Sequence, residues 1–169
     1  MNYFELFEFP VSLKVDKSGL AKKYFELQKK FHPDFYTNEN EEAKEEALEK
    51  SSMINKAFKI FQNTDATIKY VLQLKGLLEE EEKYVLPPDF LMEMLEINEQ
   101  LAEAKFENDG DQISGLKSKI SAIESEIYEP VQQIVEHYKE GVSSKEELLQ
   151  VKDYYYKKKY LSRILQGLD

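Results

Sequence analysis

The 169-residue sequence contains no cysteine and no tryptophan, and it has only two histidines, six glycines and five prolines. Without cysteine it has no disulfide framework, no thiolate nucleophile and no cysteine-based zinc or iron–sulfur site. No apolar run approaches the roughly 18 residues that a membrane-spanning helix needs. The first ten residues lack the segments that mark a signal or transit peptide. We therefore expect a cytoplasmic protein with no membrane partner, no metal and no other cofactor.

Charge is distributed unevenly along the chain. The net charge of −10 argues against nucleic acid as the main partner. Residues 1–75 hold 12 lysines and 12 acidic residues, whereas residues 76–169 hold 11 basic and 21 acidic residues and carry the whole excess. Within the balanced part, residues 14–30 hold six lysines against two acids. This pattern predicts two surfaces with different partners.

Helical periodicity extends over the whole chain, and no segment alternates with period two, so we predict an all-α fold. In the first part, proline and capping residues mark the helix ends. The predicted helices there are Tyr3 to Phe9, Asp16 or Ser18 to Phe31, about Asn40 to Gln62, and Ala66 to Leu74.

The second part reads as a linker followed by three longer helices. Residues 76–88 contain the acidic run 79–82, which we interpret as a solvated turn, and end in two prolines. The helices are predicted from Asp89 to about Asn108, Gln112 to Glu140, and about Ser144 to Gln166, with a kink or break at Pro130. The predicted organisation is a domain at 1–75, a linker at 76–88 and an antiparallel three-helix bundle at 89–169.

The stretch KKFHPDFY at residues 29–36 raises the first functional question. Pro33 fixes one torsion and forces His32 out of helical geometry, which predicts a stiff, exposed turn through Asp34. A small hydrolase using His32 and Asp34 would need a nucleophile, and none stands at a recognisable spacing. A metal site would need clustered ligands, but His137 is far away in sequence. Opposite the apolar stripe of the preceding helix lie Lys22, Lys29 and Lys30, with Lys23 beside them; taken alone, they form an ordinary solvated face.

The segment PPDFLMEMLEINEQLAEA carries two apolar strips. One strip is a complete core stripe, made of Phe90, Met94, Ile97 and Leu101. Beside it lie Leu91, Met92 and Leu95, and the outer edge is formed by Glu96, Glu99 and Glu103. Periodicity leaves two interpretations open, a broad core covered by both neighbouring helices or an exposed apolar patch that binds a partner.

The first part resembles the J-domain of DnaJ-type co-chaperones through AKKYFELQKKFHPD, a short loop, and SSMINKAFKIFQN. In that fold the two helices form an antiparallel hairpin with HPD at its tip, flanked by short helices. The resemblance implies that a DnaK-type chaperone is contacted, and its ATP hydrolysis triggered, by His32, Pro33, Asp34, Lys22, Lys29 and Lys30. Ala21, Phe25 and Glu26 stand where many J-domains are basic, which implies a specialised partner chaperone.

The whole chain is similar to the HscB family of J-proteins of iron–sulfur cluster assembly, through NYFELFEFP, INKAF, IKYVLQLKG and LMEMLE. In that family the bundle binds the cluster scaffold protein, IscU. The resemblance implies a non-enzymatic co-chaperone that delivers this scaffold to a DnaK/HscA-type chaperone; a J-domain protein for another client is the alternative. The implied scaffold-binding residues are Leu91, Met92, Leu95, Glu96, Glu99, Glu103 and, from KKYLSRIL, Tyr160. The cysteine extension of some members is missing here, so no metal is implied.

Overall fold

The computed structural model describes residues 1–168, which form eight α-helices and two 3-10 turns and contain no strand. The prediction of an all-α fold is confirmed. None of the helices in this described range is both long and apolar enough to cross a membrane. The α-helices are α1 Tyr3–Phe7, α2 Lys17–Phe31, α3 Glu41–Phe61, α4 Thr64–Leu74, α5 Pro88–Phe106, α6 Gly110–Tyr128, α7 Gln132–His137 and α8 Lys145–Gln166; the 3-10 turns are Pro33–Tyr36 and Glu129–Val131.

The chain folds into two compact units. The first comprises Met1–Lys75 together with Val135–Ser143, and the second comprises Gly76–Ile134 and Ser144–Asp169. Sequence patterning placed residues 135–143 in the bundle, but they group with the amino-terminal unit. An ion pair of 2.8 Å joins Lys75 Nζ to Glu140 Oε2 within that unit.

In the first unit, α2 and α3 form an antiparallel hairpin, because their contacts run in opposite order. In the middle of α2, Tyr24 stacks on Phe58 with ring centroids 3.9 Å apart. One turn later, Gln28 Nε2 donates to Asn55 Oδ1 at 2.8 Å. Asp16 caps α2 by accepting from the Gly19 N–H at 2.9 Å. This packing places the HPD turn at the open end of the hairpin.

The first helix is shorter than its sequence pattern predicts. It ends at Phe7 and not at Phe9, because Glu8 adopts a left-handed conformation with φ of 56°. The Phe9 N–H then donates back to the Phe4 carbonyl at 2.9 Å, which closes the helix end. A glutamate at this position gives no sequence signal for such a cap, since the left-handed cap is usually glycine.

The second unit is a bundle of α5, α6 and α8, whose facing sides bury an apolar core. The chain breaks at Pro130 as predicted, since a 3-10 turn separates α6 from α7. A capping box forms at the start of α8 between Ser144 and Glu147. In the last turn of α8, Ile164 is buried and Leu165 is only partly buried. Core residues of this unit include Phe90, Met94, Ile97, Leu101, Leu116, Ile120, Ile123 and Leu161.

Candidate partner-binding surfaces

The His32-Pro33-Asp34 turn follows α2, and its own hydrogen bonds hold it in place. The His32 N–H donates to the Gln28 carbonyl at 2.9 Å and completes the helix, after which His32 is extended. Pro33 begins the next 3-10 turn, where a helix leaves its N–H unpaired in any case. The Asp34 N–H donates to His32 Nδ1 at 3.2 Å, so the imidazole caps that turn. The turn is therefore exposed and also locally fixed.

His32 and Asp34 are close together, but their geometry is not that of a catalytic pair. His32 Nδ1 and Asp34 Oδ2 are 3.6 Å apart, beyond hydrogen-bond distance. Because Nδ1 accepts the Asp34 amide proton, that nitrogen has no proton to donate to the carboxylate. A catalytic triad needs the opposite arrangement, with a buried aspartate accepting from the ring. Within residues 1–168, no group of three or more histidine, aspartate or glutamate side chains could hold a metal ion.

Three of the lysines near this turn are exposed on α2, namely Lys22, Lys29 and Lys30. Lys23 differs, because its Nζ lies 3.2 Å from Glu8 Oε1 and the side chain is only 22% exposed. The three exposed lysines lead along the helix to the HPD turn, and they form what we call the lysine face. This face presents positive charge to solvent beside a turn of fixed shape.

An exposed aromatic ring, Phe25, stands within the lysine face. Its side chain is 62% exposed, and the helical repeat places it about 40° from Lys29 and about 60° from Lys22. The Lys29 ammonium lies 4.8 Å from the ring centroid, within cation–π range. In the sequence, Phe25 was notable only as a position where many J-domains are basic. The structure shows that this face is amphipathic. The sequence signal for it was a bulky aromatic residue on the same side of the helix as the lysines.

On α5 most of the second apolar strip is exposed, which excludes the interpretation of a broad core covered by both neighbouring helices. Met92 is 64% exposed and Leu95 is 59% exposed, whereas Leu91 is partly buried against the core. Neither neighbouring helix covers Met92 or Leu95. The three acidic residues of the outer edge, Glu96, Glu99 and Glu103, are also exposed. We call the three apolar residues and this acidic edge the α5 patch.

The predicted aromatic contributor, Tyr160, lies on α8 and is half-buried. Its ring meets Phe90 edge-on at a centroid distance of 6.4 Å. Tyr160 and Leu91 both line a groove of about 420 Å³. The structure therefore brings Tyr160 to the border of the α5 patch. Tyr154, on the same helix, is buried.

Residues 82–86, which the sequence places in a linker, are fastened to α8, and we call them the strap. Glu82 Oε2 forms an ion pair of 2.6 Å with Lys152, and the Tyr84 hydroxyl donates to Asp153 Oδ1 at 2.8 Å. Tyr84 also stacks on Tyr156 with ring centroids 4.5 Å apart. Burial, followed by the hydrogen bond to Asp153, raises the pKa of Tyr84 to about 12. The interpretation of the acidic run as a solvated turn is wrong for Glu82, the residue that ends it.

Replacing Glu82 with glutamine should make the strap's contribution to the free energy of unfolding independent of pH in the acidic range. The hydrogen bond from Lys152, and then the Glu79 N–H, hold the pKa of Glu82 below its usual value of 4.5. Because the pKa is lower in the folded than in the unfolded state, the ionised carboxylate stabilises the fold at pH values above 4.5. This stabilisation is lost as pH falls through the lowered pKa. We expect E82Q to unfold in urea with a free energy lower by about 0.5 to 1 kcal/mol at neutral pH, and the difference should vanish as pH falls through the lowered pKa of Glu82.

The control for this change is Glu81→Gln, which removes the same charge from an exposed neighbour. It should unfold like the wild type at neutral pH. A difference between E82Q and the wild type that stays constant down to acid pH would show that the Glu82–Lys152 ion pair is not its source.

The sequence profile of the HSCB C-terminal oligomerisation domain matches residues 86–169 of this chain. A co-chaperone protein HscB homolog from Psychromonas ingrahamii is 36% identical over 132 residues, which cover 71% of this chain and 78% of the relative. Another, from Photobacterium profundum, is 30% identical over 155 residues, covering 91% and 83%. The chain belongs to the HscB family of J-domain co-chaperones.

Solved structures of HscB proteins share the fold over nearly the whole chain. The crystal structure of human co-chaperone protein HscB gives a TM-score of 0.82 at 27% identity, and covers 99% of this chain and 80% of that one. Chaperone HscB from Vibrio cholerae gives 0.75 at 26% identity, with coverage of 99% and 95%. The match to the HSCB profile contains the α5 patch and Tyr160, whereas the HPD turn lies outside it, in the part of the chain that both solved structures also cover. The relatives are named as co-chaperones, proteins that assist a chaperone and are not enzymes.

Proposed function

We propose that this chain binds an IscU-type iron–sulfur cluster scaffold protein through its carboxy-terminal bundle and delivers it to a DnaK/HscA-type chaperone. In this proposal the HPD turn stimulates the chaperone's ATPase, in the maturation of iron–sulfur proteins. The observation that carries the proposal is the exposed and locally fixed HPD turn beside the lysine face, in a chain of the HscB family.

The chaperone-binding part of the proposal rests on electrostatics and rigidity. An exposed lysine face attracts an acidic partner surface, and such steering weakens as salt rises. The HPD turn is already held by the His32 cap, so it loses little conformational entropy when it docks. It supplies no hydrolytic group of its own, and acts by favouring the partner conformation that hydrolyses ATP.

The scaffold-binding part rests on the α5 patch. Met92 and Leu95 expose apolar surface that a partner could bury, and exposed apolar surface next to polar residues is typical of an interaction site. The acidic edge would then face positive charge on the scaffold. Because one chain carries both surfaces, binding the scaffold raises its effective concentration at the chaperone.

The proposal is tested by measuring ATP hydrolysis by the DnaK-type chaperone of the same organism. We expect this chain to raise the hydrolysis rate, and the scaffold to raise it further when both are present. Rates that do not respond to the chain would contradict the chaperone part. A scaffold pull-down over a salt series separates the alternative of another client, since that alternative predicts no capture at any salt concentration. Turnover of a substrate without any chaperone would favour the alternative hypothesis of a small hydrolase that uses His32 and Asp34.

A further inference from the structure

The groove beside Tyr160 combines apolar side chains with exposed positive charge. It is lined by the strap and by Tyr156 and Tyr160 of α8. The strap contributes the exposed Lys83 and one carboxylate, Glu82, which is already paired with Lys152. Lys159 and Arg163 also line it, and both are exposed. The Lys159 ammonium lies 5.8 Å from the centroid of the Tyr156 ring. A basic groove is unexpected here, because residues 76–169 hold 21 acidic residues against 11 basic ones.

Val85 is held in an exposed position at this groove. It is 85% exposed, although its neighbours on both sides are fastened to the bundle. Tyr84 is stacked and hydrogen-bonded on α8, and Leu86 is buried in the core. With both neighbours fastened to the bundle, the Val85 side chain is left facing solvent. An isolated exposed valine needs no explanation, but this one borders the groove that also contains Leu91.

The groove is continuous with the α5 patch, because Leu91 belongs to both. On one side of Leu91 the patch has an edge of carboxylates, Glu96, Glu99 and Glu103, and on the other side the groove has cations. A single partner lying across Leu91 would therefore meet negative charge at one end and positive charge at the other. Such a polarity allows one docking direction and opposes the reverse, because reversal would bring like charges together.

We propose that this groove is the second half of the scaffold-binding surface, and that it receives an apolar side chain flanked by carboxylates on the scaffold protein. Val85 and Tyr160 contact the apolar group, and Lys159 and Arg163 pair with the carboxylates. This inference rests on the proposed function, since it assigns the groove to the partner that the α5 patch binds. The groove fixes the orientation of the scaffold, and the α5 patch supplies apolar contact.

The test compares scaffold affinity of the wild type with that of the double variant Lys159→Gln/Arg163→Gln, measured by calorimetry at several salt concentrations. We expect the dissociation constant to rise about 5- to 30-fold at low salt and the dependence on salt to become shallower. Val85→Ser should weaken binding by a smaller factor that is independent of salt. The matched control is Lys117→Gln/Lys119→Gln on α6, which removes two exposed charges elsewhere in the bundle and should keep wild-type affinity.

The outcomes separate the two proposals. If the wild type binds the scaffold but the groove variants bind equally well, the inference fails and the proposed function stands. If the wild type does not bind, the proposed function fails. The competing occupant is a second copy of this chain, and loss of a dimer in the groove variants with unchanged scaffold affinity would also overturn the inference. Stimulation of the chaperone without scaffold should be unchanged in every groove variant.

Discussion

Replacing Asp34 with asparagine should reduce stimulation of the partner chaperone's ATPase by roughly 30-fold or more, with the fold unchanged. The Asp34 side chain is 85% exposed, and its carboxylate lies outside hydrogen-bond distance of the His32 ring nitrogen. The Asp34 backbone N–H, not its side chain, makes the hydrogen bond that caps the turn. The substitution therefore removes one negative charge from the surface offered to the chaperone and leaves the shape of the turn intact. The measurement is single-turnover ATP hydrolysis by the chaperone at saturating co-chaperone.

Two further variants make this expectation specific. His32→Gln removes the imidazole that caps the turn and should also lower stimulation strongly, because the turn loses its fixed geometry. Glu39→Gln removes a carboxylate from an exposed position in the same loop and should stimulate like the wild type. Full stimulation by both D34N and H32Q would exclude the HPD turn as the chaperone-binding element. Scaffold affinity should be unaffected in all three variants.

The sequence predicts the local elements of this fold well, because their signals lie within a few residues. The second helix begins after Asp16, one of the two predicted caps, and ends before Pro33 as predicted. The break at Pro130 is also a local effect, because proline has no backbone N–H to donate and its ring clashes with the preceding turn of the helix. The end of α1 was misplaced because a left-handed Glu8 carries no compositional signal.

Contacts between distant residues account for most of what the sequence did not reveal. The strap depends on Glu82 meeting Lys152 and Tyr84 meeting Asp153, each pair about 70 positions apart. No periodicity within either segment encodes such a pairing. Residues 135–143 were assigned to the bundle, as the end of its second predicted helix and the turn that follows, although they group with the amino-terminal unit.

The α5 segment illustrates a second limit of sequence patterns. Periodicity showed two adjacent apolar strips but could not show how far the neighbouring helices extend over them. The burial of Met94 and the exposure of Met92 depend on the spacing of α5, α6 and α8 in the bundle. Family resemblance supplied the expectation that the second strip is exposed, and the exposed fractions of Met92 and Leu95 agree with that reading.

The double variant Met92→Ala/Leu95→Ala should weaken scaffold binding by roughly 100-fold or more. Both side chains are more than half exposed in the free protein, so truncation removes surface that only a partner would bury. Their loss should change the free energy of unfolding by less than about 0.5 kcal/mol. Leu91 is a poorer choice for this test, because it also packs against the core and its truncation would lower stability as well.

The matched control is Val142→Ala, which truncates an apolar side chain that is 79% exposed in the amino-terminal unit. Scaffold affinity is measured by calorimetry, and chaperone stimulation is measured with and without scaffold. We expect the double variant to stimulate the chaperone normally by itself but to lose the additional stimulation that the scaffold provides, because the two surfaces act through different partners. Wild-type affinity in the double variant would place the scaffold elsewhere on the bundle. Loss of affinity in both variants would point to a general effect of removing exposed apolar surface, so only their difference identifies the α5 patch.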